Sequence, residues 1–303
     1  MSSLRPIRRA IDWGELAPLR LRAREVAEGV YAGVHRSARR GAGVEFGSYR
    51  EYVPGDDLRW LDRRSLLRHD RLIVRQFETE TDRALCLVVD ASASMAFRGP
   101  TAPGAKLAFA AVIAAALARL AVVSGDPVSL TFVGGGGGDA PIARSAGREQ
   151  FERIVAALEA VQPGGDARVD GAMVERALHS ALRAARRGAI VVVLSDLIDL
   201  PENAAKSISE VASRGRVLTV VQTLDSVEAE FPYRGTVRLR ALEGDALVET
   251  DADSTRDRYL AALSTLTGAW QKAVVERGGR FVRATTADEP VRVVRAIVES
   301  VRY

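Results

Sequence analysis

Cysteine is nearly absent from this chain: Cys86 stands alone among 303 residues. One thiol excludes an intramolecular disulfide and any thiolate metal cluster. Because Cys86 lies inside an apolar run, a small buried core residue is expected there. Histidine is almost as scarce, and His35, His69 and His179 are scattered with no metal-ligand spacing between them. Lysine is confined to Lys106, Lys206 and Lys272, a skew toward arginine that reflects composition rather than function. Aromatic residues make up 6%, and long basic runs with interleaved aromatics are missing, so nucleic-acid binding is not expected. No apolar stretch follows the charges of the first thirteen residues, which argues against a signal peptide. The most hydrophobic segment, 107–123, is short for a membrane span and is interrupted by Arg119. It reads as a buried helix, and the expected location is cytoplasmic with no membrane span.

What is present is an ordinary globular composition, 47% hydrophobic and 27% charged, long enough for one large domain and a smaller module. The formal charge of +4 resides in residues 1–80, which hold 16 Arg against 12 Asp or Glu. That bias would favour an acidic partner. From residue 84 onward, apolar runs at 84–90, 129–135, 189–196 and 216–223 alternate with helical patterns at 105–122, 148–160, 171–187 and 201–214. Strands apolar throughout and separated by helices indicate a mostly parallel sheet covered on both faces, an α/β fold. Residues 224–254 break the alternation as an insertion of short strands. A long helix at 255–277, a strand at 280–286 and a helix at 288–301 then complete a domain spanning 81–303. Residues 1–80 read as a small module of mixed structure, with a helix around 15–31, a turn at Pro54-Gly55-Asp56-Asp57 and a strand at 72–80. Five glycines at 134–138 suggest a surface loop, because no Lys-Ser or Lys-Thr follows to make it a phosphate loop.

The strongest chemical signal is Asp90-Ala91-Ser92-Ala93-Ser94, directly after a buried strand. In an open α/β sheet, ligands bind at the carboxyl edge of the strands. Three oxygen-bearing side chains at i, i+2 and i+4 can converge on one point, and a hard cation such as Mg²⁺ requires oxygens with some positions left to water. Asp196, in a Leu-Ser-Asp-Leu stretch that ends another apolar strand, can reach the same edge. This combination resembles the metal-ion-dependent adhesion site of von Willebrand factor A (VWA) domains. The resemblance implies a VWA-like fold holding Mg²⁺ or Mn²⁺, with Ser92 and Ser94 as direct ligands and Asp90 and Asp196 acting directly or through water. The family also uses a Thr after a Gly-Gly pair. Here that stretch reads Gly164-Gly165-Asp166-Ala167-Arg168-Val169-Asp170, so Asp166 or Asp170 is the nearby oxygen donor. A competing reading has Asp90 and the serines merely capping the turn that follows.

A second pattern covers almost the whole chain. Gly33-Val34-His35-Arg36-Ser37 is followed by Arg50-x-Tyr52-x-Pro54-Gly55-Asp56-Asp57-x-Arg59 and then Asp62, ahead of the α/β core. Leu224-Asp225 precedes the strand insertion, and Tyr259 lies on the long helix. The chain is similar in these respects to the bacterial family catalogued as domain of unknown function fifty-eight, differing in Arg63, where the family usually has Trp. That resemblance implies partnership with a MoxR-type AAA+ ATPase and a client protein whose maturation or activation the pair assists. Read from the residues alone, Arg50, Asp56, Asp57, Arg59 and Asp62 either form a charge network docking the module or, with Tyr52, meet a partner directly.

Catalytic patterns are weak. No Gly-x-Ser-x-Gly elbow surrounds Ser92 or Ser94. An aspartyl phosphatase needs a second acid two residues after the first, where Ser92 stands. The expectation is a non-enzymatic interaction protein binding its partner through a metal. A metal-independent scaffold with a degenerate site and a Mg²⁺-dependent phosphohydrolase are the alternatives.

Overall fold

A computed structural model describes residues 11–34, 45–51, 73–78, 83–136, 141–166, 170, 172–198, 200–201, 203–240, 242 and 247–301. The chain divides into two units, one formed by Val34–Arg83 and the other by Met1–Gly33 together with Ala84–Tyr303. This differs from a division near residue 80. Helix α1 (Leu19–Val34) buries Leu19, Ala23, Val26, Ala27 and Val30, an apolar stripe at helical spacing, in the larger unit. Gly29 comes so close to the C-terminal helix that a Cβ there would stand 3.1 Å from the Val291 side chain. The Tyr31 hydroxyl donates to the Leu120 carbonyl at 3.4 Å.

The smaller unit contains strands β1 (Glu45–Glu51) and β2 (Ile73–Glu78), paired antiparallel with an irregularity between Phe46 and Ser48. Arg50 lies on β1 opposite Val74. Tyr52, Asp56, Asp57, Arg59 and Asp62, expected to form or flank a docking network, lie outside the described residues.

The larger unit runs β3 (Leu85–Asp90), α2 (Lys106–Val123), β4 (Val128–Val133), β5 (Ile142–Ser145), α3 (Arg148–Ala160) and α4 (Met173–Ala184). It continues through β6 (Ile190–Ser195), α5 (Ala204–Ser209), β7 (Val217–Leu224) and α6 (Ser226–Glu230). A hairpin of β8 (Thr236–Arg240) and β9 (Leu247–Asp251) follows, then α7 (Ala252–Val275), β10 (Arg280–Thr285) and α8 (Pro290–Val301). The sheet order is β10-β7-β6-β3-β4-β5, parallel except for β5, which pairs antiparallel with β4 at the edge. This is the mostly parallel α/β arrangement that the alternating pattern implied.

Burial explains the order. Strand β3, with a neighbour on each side, is buried along its whole length. Helix α2 is buried at every residue from Lys106 to Ala118, as its apolar surface all round requires. Among the described residues it is the one helix long and apolar enough to cross a membrane, and 72% of it is inside the protein. On the opposite face, Val174 and Leu178 of α4, Ile208 of α5, and Trp270 and Val274 of α7 pack on Cys86, Val88, Val191, Val193, Leu218 and Val220. Each large aliphatic side chain so buried contributes about 1.5–3 kcal/mol. The parallel registers set Val89 beside Leu194, Ser195 beside Gln222 and Leu224 beside Thr285. Asp90 is therefore level with Ser195 and Gln222, β7 runs two residues further, and each strand is closed or followed by an Asp: Asp90, Asp196 and Asp225.

Candidate metal centre at the carboxyl edge of the sheet

Asp90 is the base of the site. It is 2% exposed, and its carboxylate is held from two directions. Oδ1 accepts from the Ser92 backbone N–H at 2.8 Å, and Oδ2 accepts from the Ser195 hydroxyl at 2.6 Å. Ser195 is itself fixed, since its Oγ accepts from the Leu197 N–H at 2.9 Å. No cation of this chain is paired with Asp90 among the described contacts. Burial, with the neighbouring Asp196 carboxylate, pushes its pKa up to about 6 against the opposing pull of its hydrogen bonds. A carboxyl group in that condition is one that a bound cation would stabilise.

Beyond Asp90 the chain forms a short 3-10 turn, Ala93–Ala96, without a side-chain cap from Ser92. The capping alternative finds no support at Ser92, whereas Asp90 does accept the backbone N–H that leads into the turn. The Ser92 and Ser94 hydroxyls lie 3.0 Å apart, Ser92 buried and Ser94 half-buried. Neighbouring ligands of an octahedral cation at about 2.1 Å stand about 3.0 Å from each other. The two serines thus have the spacing of two adjacent ligands.

The loop expected to supply the missing Thr packs directly on this turn. The Gly164 N–H donates to the Ala91 carbonyl at 2.9 Å, and the Ala93 N–H donates to the Gly165 carbonyl at 3.2 Å. Close approach explains the glycines: a Cβ at Gly134 would meet the Gly164 carbonyl at 2.9 Å. Asp166 follows Gly165 immediately and is half-buried. Asp170 is engaged elsewhere. Its carboxylate takes two hydrogen bonds from Arg176, one of them 3.1 Å long, and that pairing holds its pKa below the usual range. Of the two acids expected near the site, Asp166 is the one whose neighbouring backbone touches it.

Asp196 is buried completely but is not unpaired. Its Oδ1 accepts from the Ile198 N–H at 3.0 Å, and its Oδ2 receives the Lys106 ammonium at 2.7 Å. The next residue, Leu197, adopts a left-handed backbone (φ 62°) despite its side chain. Such a conformation costs about 1–3 kcal/mol and collects at functional sites.

Sequence reasoning missed Lys106. This side chain is 0% exposed, and its ammonium also bonds Glu228 Oε1 at 2.7 Å. Burial pulls the ammonium pKa down, but the Asp196 and Glu228 carboxylates more than reverse this and hold it above the usual range. Lys106 opens α2, where the positive end of the helix dipole disfavours a cation, so the two carboxylates must offset that as well. A lysine directly before a long apolar helical run was the available signal.

Glu228 has a second task. It is the third residue of α6, and its Oε2 accepts from the Asp225 N–H at 2.9 Å while Asp225 caps the helix from the other side. Asp225 in turn accepts from the Val227 N–H at 3.0 Å, the Gly99 N–H at 2.9 Å and the Thr286 hydroxyl at 3.1 Å. Glycine is required at 99, because a Cβ there would lie 2.3 Å from the Asp225 carboxylate.

Among the described residues, no group of three or more His, Cys, Asp or Glu is placed to hold a metal by itself. A cation here would depend on the serine hydroxyls. The donor set of Asp90, Ser92 and Ser94, with Asp166 on the adjoining loop, is all oxygen and suits a hard divalent ion.

Residues 48–266 match the family described as Protein of unknown function DUF58. The chain is 31% identical over 248 residues to the uncharacterized protein Rv1480 of Mycobacterium tuberculosis, covering 82% of this chain and 76% of that one. Among solved structures it is similar to BatB from Bacteroides thetaiotaomicron, with 16% identity, a TM-score of 0.48, and coverage of 72% and 98% of the two chains. It is also similar to the VWA domain of SpRpn10, with 11% identity, a TM-score of 0.38, and coverage of 71% and 93%.

Proposed function

We propose that this chain, which belongs to the family Protein of unknown function DUF58, is a non-enzymatic interaction protein that docks a partner through a divalent cation at the sheet edge. The observation that carries this reading is the pair of serine hydroxyls 3.0 Å apart beside the buried Asp90, with which no cationic side chain is paired among the described residues. Ser92 and Ser94 would hold Mg²⁺ or Mn²⁺ directly, with Asp90 beneath them and Asp166 in the place of the family's Thr. When bound, the cation supplies an electrophilic position that a partner's carboxylate can occupy. That carboxylate would enter on the side of Ser94 and Asp166, both of which are half-buried. Asp196 stands back from the cation, since both its oxygens are already engaged by Lys106 and the Ile198 N–H.

The partner side of the reading comes from the family resemblance: a MoxR-type AAA+ ATPase and a client protein, met in the cytoplasm. Capture of that ATPase from solution should require Mg²⁺ or Mn²⁺ and be lost on chelation and in Asp90→Ala. Capture indifferent to both would overturn the reading. Mg²⁺-dependent phosphoester turnover that disappears in Asp90→Ala would show an enzyme instead.

One observation favours a second reading, a metal-independent scaffold. The Lys106 ammonium already neutralises part of the acidic edge. Calorimetric titration of Mg²⁺ and Mn²⁺ into chelator-stripped protein separates the two. Saturable binding absent in Asp90→Ala supports the metal reading, and no binding supports the scaffold.

A further inference from the structure

We infer that Lys106 is a built-in cation of this edge: it positions Asp196 and competes electrostatically with a divalent ion for that carboxylate. The inference rests on the reading of the edge as a metal centre, and it assigns a role to a residue outside the expected ligand set. Its basis is geometric. The ammonium lies 2.7 Å from Asp196 Oδ2 and 2.7 Å from Glu228 Oε1, with the side chain wholly buried. Three carboxylates, Asp90, Asp196 and Glu228, share this low-dielectric edge with that one ammonium.

Two consequences follow from the placement. First, Asp196 cannot turn its Oδ2 to a metal without uncovering a buried ammonium, a cost that keeps it in a water-mediated role. Second, Glu228 ties the ammonium to the capping box of α6, and the Tyr259 hydroxyl donates to the Glu228 carbonyl at 2.9 Å. Tyr259 stacks at 4.7 Å on Phe231, which is 5.2 Å from Tyr233, so the lysine anchors the segment leading into the β8–β9 hairpin. Lys106 is a positioning residue here, acting on the cation through Asp196.

The test is Mn²⁺ binding, read by the electron paramagnetic resonance of free Mn²⁺, in wild type, Lys106→Met and the charge-balanced Lys106→Met/Glu228→Gln. Removing a buried like charge next to a divalent ion should tighten Mn²⁺ binding about tenfold or more. A purely structural lysine would leave affinity unchanged or weaken it. Thermal unfolding provides a second readout: Lys106→Met should melt lower than wild type in chelator and recover most of the difference when Mn²⁺ is added. Should Lys106→Met fail to fold, the double variant, which leaves no unpaired Glu228 charge but still releases Asp196 from its ammonium, should tighten binding by a smaller factor. Tighter binding in either variant supports the inference. Binding by a variant but not by wild type also supports it, and overturns metal-dependent docking by the natural protein. Wild-type binding with equal or weaker binding in the variants overturns the inference alone. Mn²⁺ bound by none of the three overturns both readings.

Discussion

Asp90 and Asp225 follow the same sequence rule, an acid reached at the end of an apolar parallel strand, and end in opposite conditions. Asp225 is enclosed by donors: the Gly99 and Val227 N–H groups and the Thr286 hydroxyl all point at it, and it caps α6. Asp90 has its donors in Ser92 and Ser195, but also a neighbouring carboxylate, and burial and Asp196 lift its pKa to about 6 in spite of those donors. The first acid is a structural clamp whose charge is consumed by the fold. The second is a strained buried charge with two hydroxyls beside it, the condition expected where something from outside completes the site. Strand position decides that an acid is delivered to the edge, and the loops around it decide whether it is satisfied there.

The largest effect that would test this comparison is loss of the clamp. Asp225→Ala should destabilise the protein by roughly 3–5 kcal/mol, since two buried backbone N–H groups and a hydroxyl lose their acceptor. Chemical denaturation measures it, and a loss under about 1 kcal/mol would show that Asp225 is no clamp.

Asp90→Asn should act in the opposite direction. The ordinary carboxyl value is 3.8 and the folded one is raised to about 6, so between these the native state binds more protons than the unfolded state. Stability of the metal-free protein therefore falls as pH rises from about 4 to about 6 and is level above that. Asparagine removes the penalty while still accepting from Ser92 and facing Ser195. The variant should be more stable than wild type by about 3 kcal/mol at pH 7, and the gain should vanish near pH 4. Unfolding of chelator-stripped protein at the two pH values checks the sign. A destabilised variant at pH 7 would place Asp90 with Asp225 among the structural acids.

Ser94→Ala comes next. The side chain is half-buried, so stability should change by less than about 1 kcal/mol. Mn²⁺ affinity should fall about tenfold. Equal losses of stability and affinity would mean the serine supports the turn rather than the ion.

The alternation of apolar strands and helical patterns in the sequence carried the α/β architecture, because a buried parallel strand has little choice of composition. Asp90, Ser92 and Ser94 were legible for the same reason: they lie within five residues of a strand end, and local geometry brings them together. Two features were not legible. Helix α1 carries its own apolar stripe, and nothing local says that the surface it buries is formed by residues more than eighty positions later, such as Leu120 and Val291. The short edge strand β5 has an exposed and half-buried alternation over four residues, too brief to stand out from a loop. In the site, Lys106 was hidden by its helix. A charge before an apolar run reads as a solvated end, and only the packing of α2 against the sheet brings that end onto Asp196 at the end of β6.

The smallest effect distinguishes the two acids that sequence alone left equivalent. Asp166 follows the glycine whose carbonyl accepts from the Ala93 N–H, whereas Asp170 gives its carboxylate to Arg176 on an exposed face of α4. If the edge of the site takes its extra oxygen from this loop, Asp166→Asn should lower Mn²⁺ affinity by about threefold to tenfold. Asp170→Asn should leave affinity within about twofold, because screening by solvent separates an exposed ion pair from a buried cation. The two titrations are read against each other. Equal effects would mean that the loop contributes only its long-range charge, and a larger effect at Asp170 would mean that Arg176 releases it when the cation arrives.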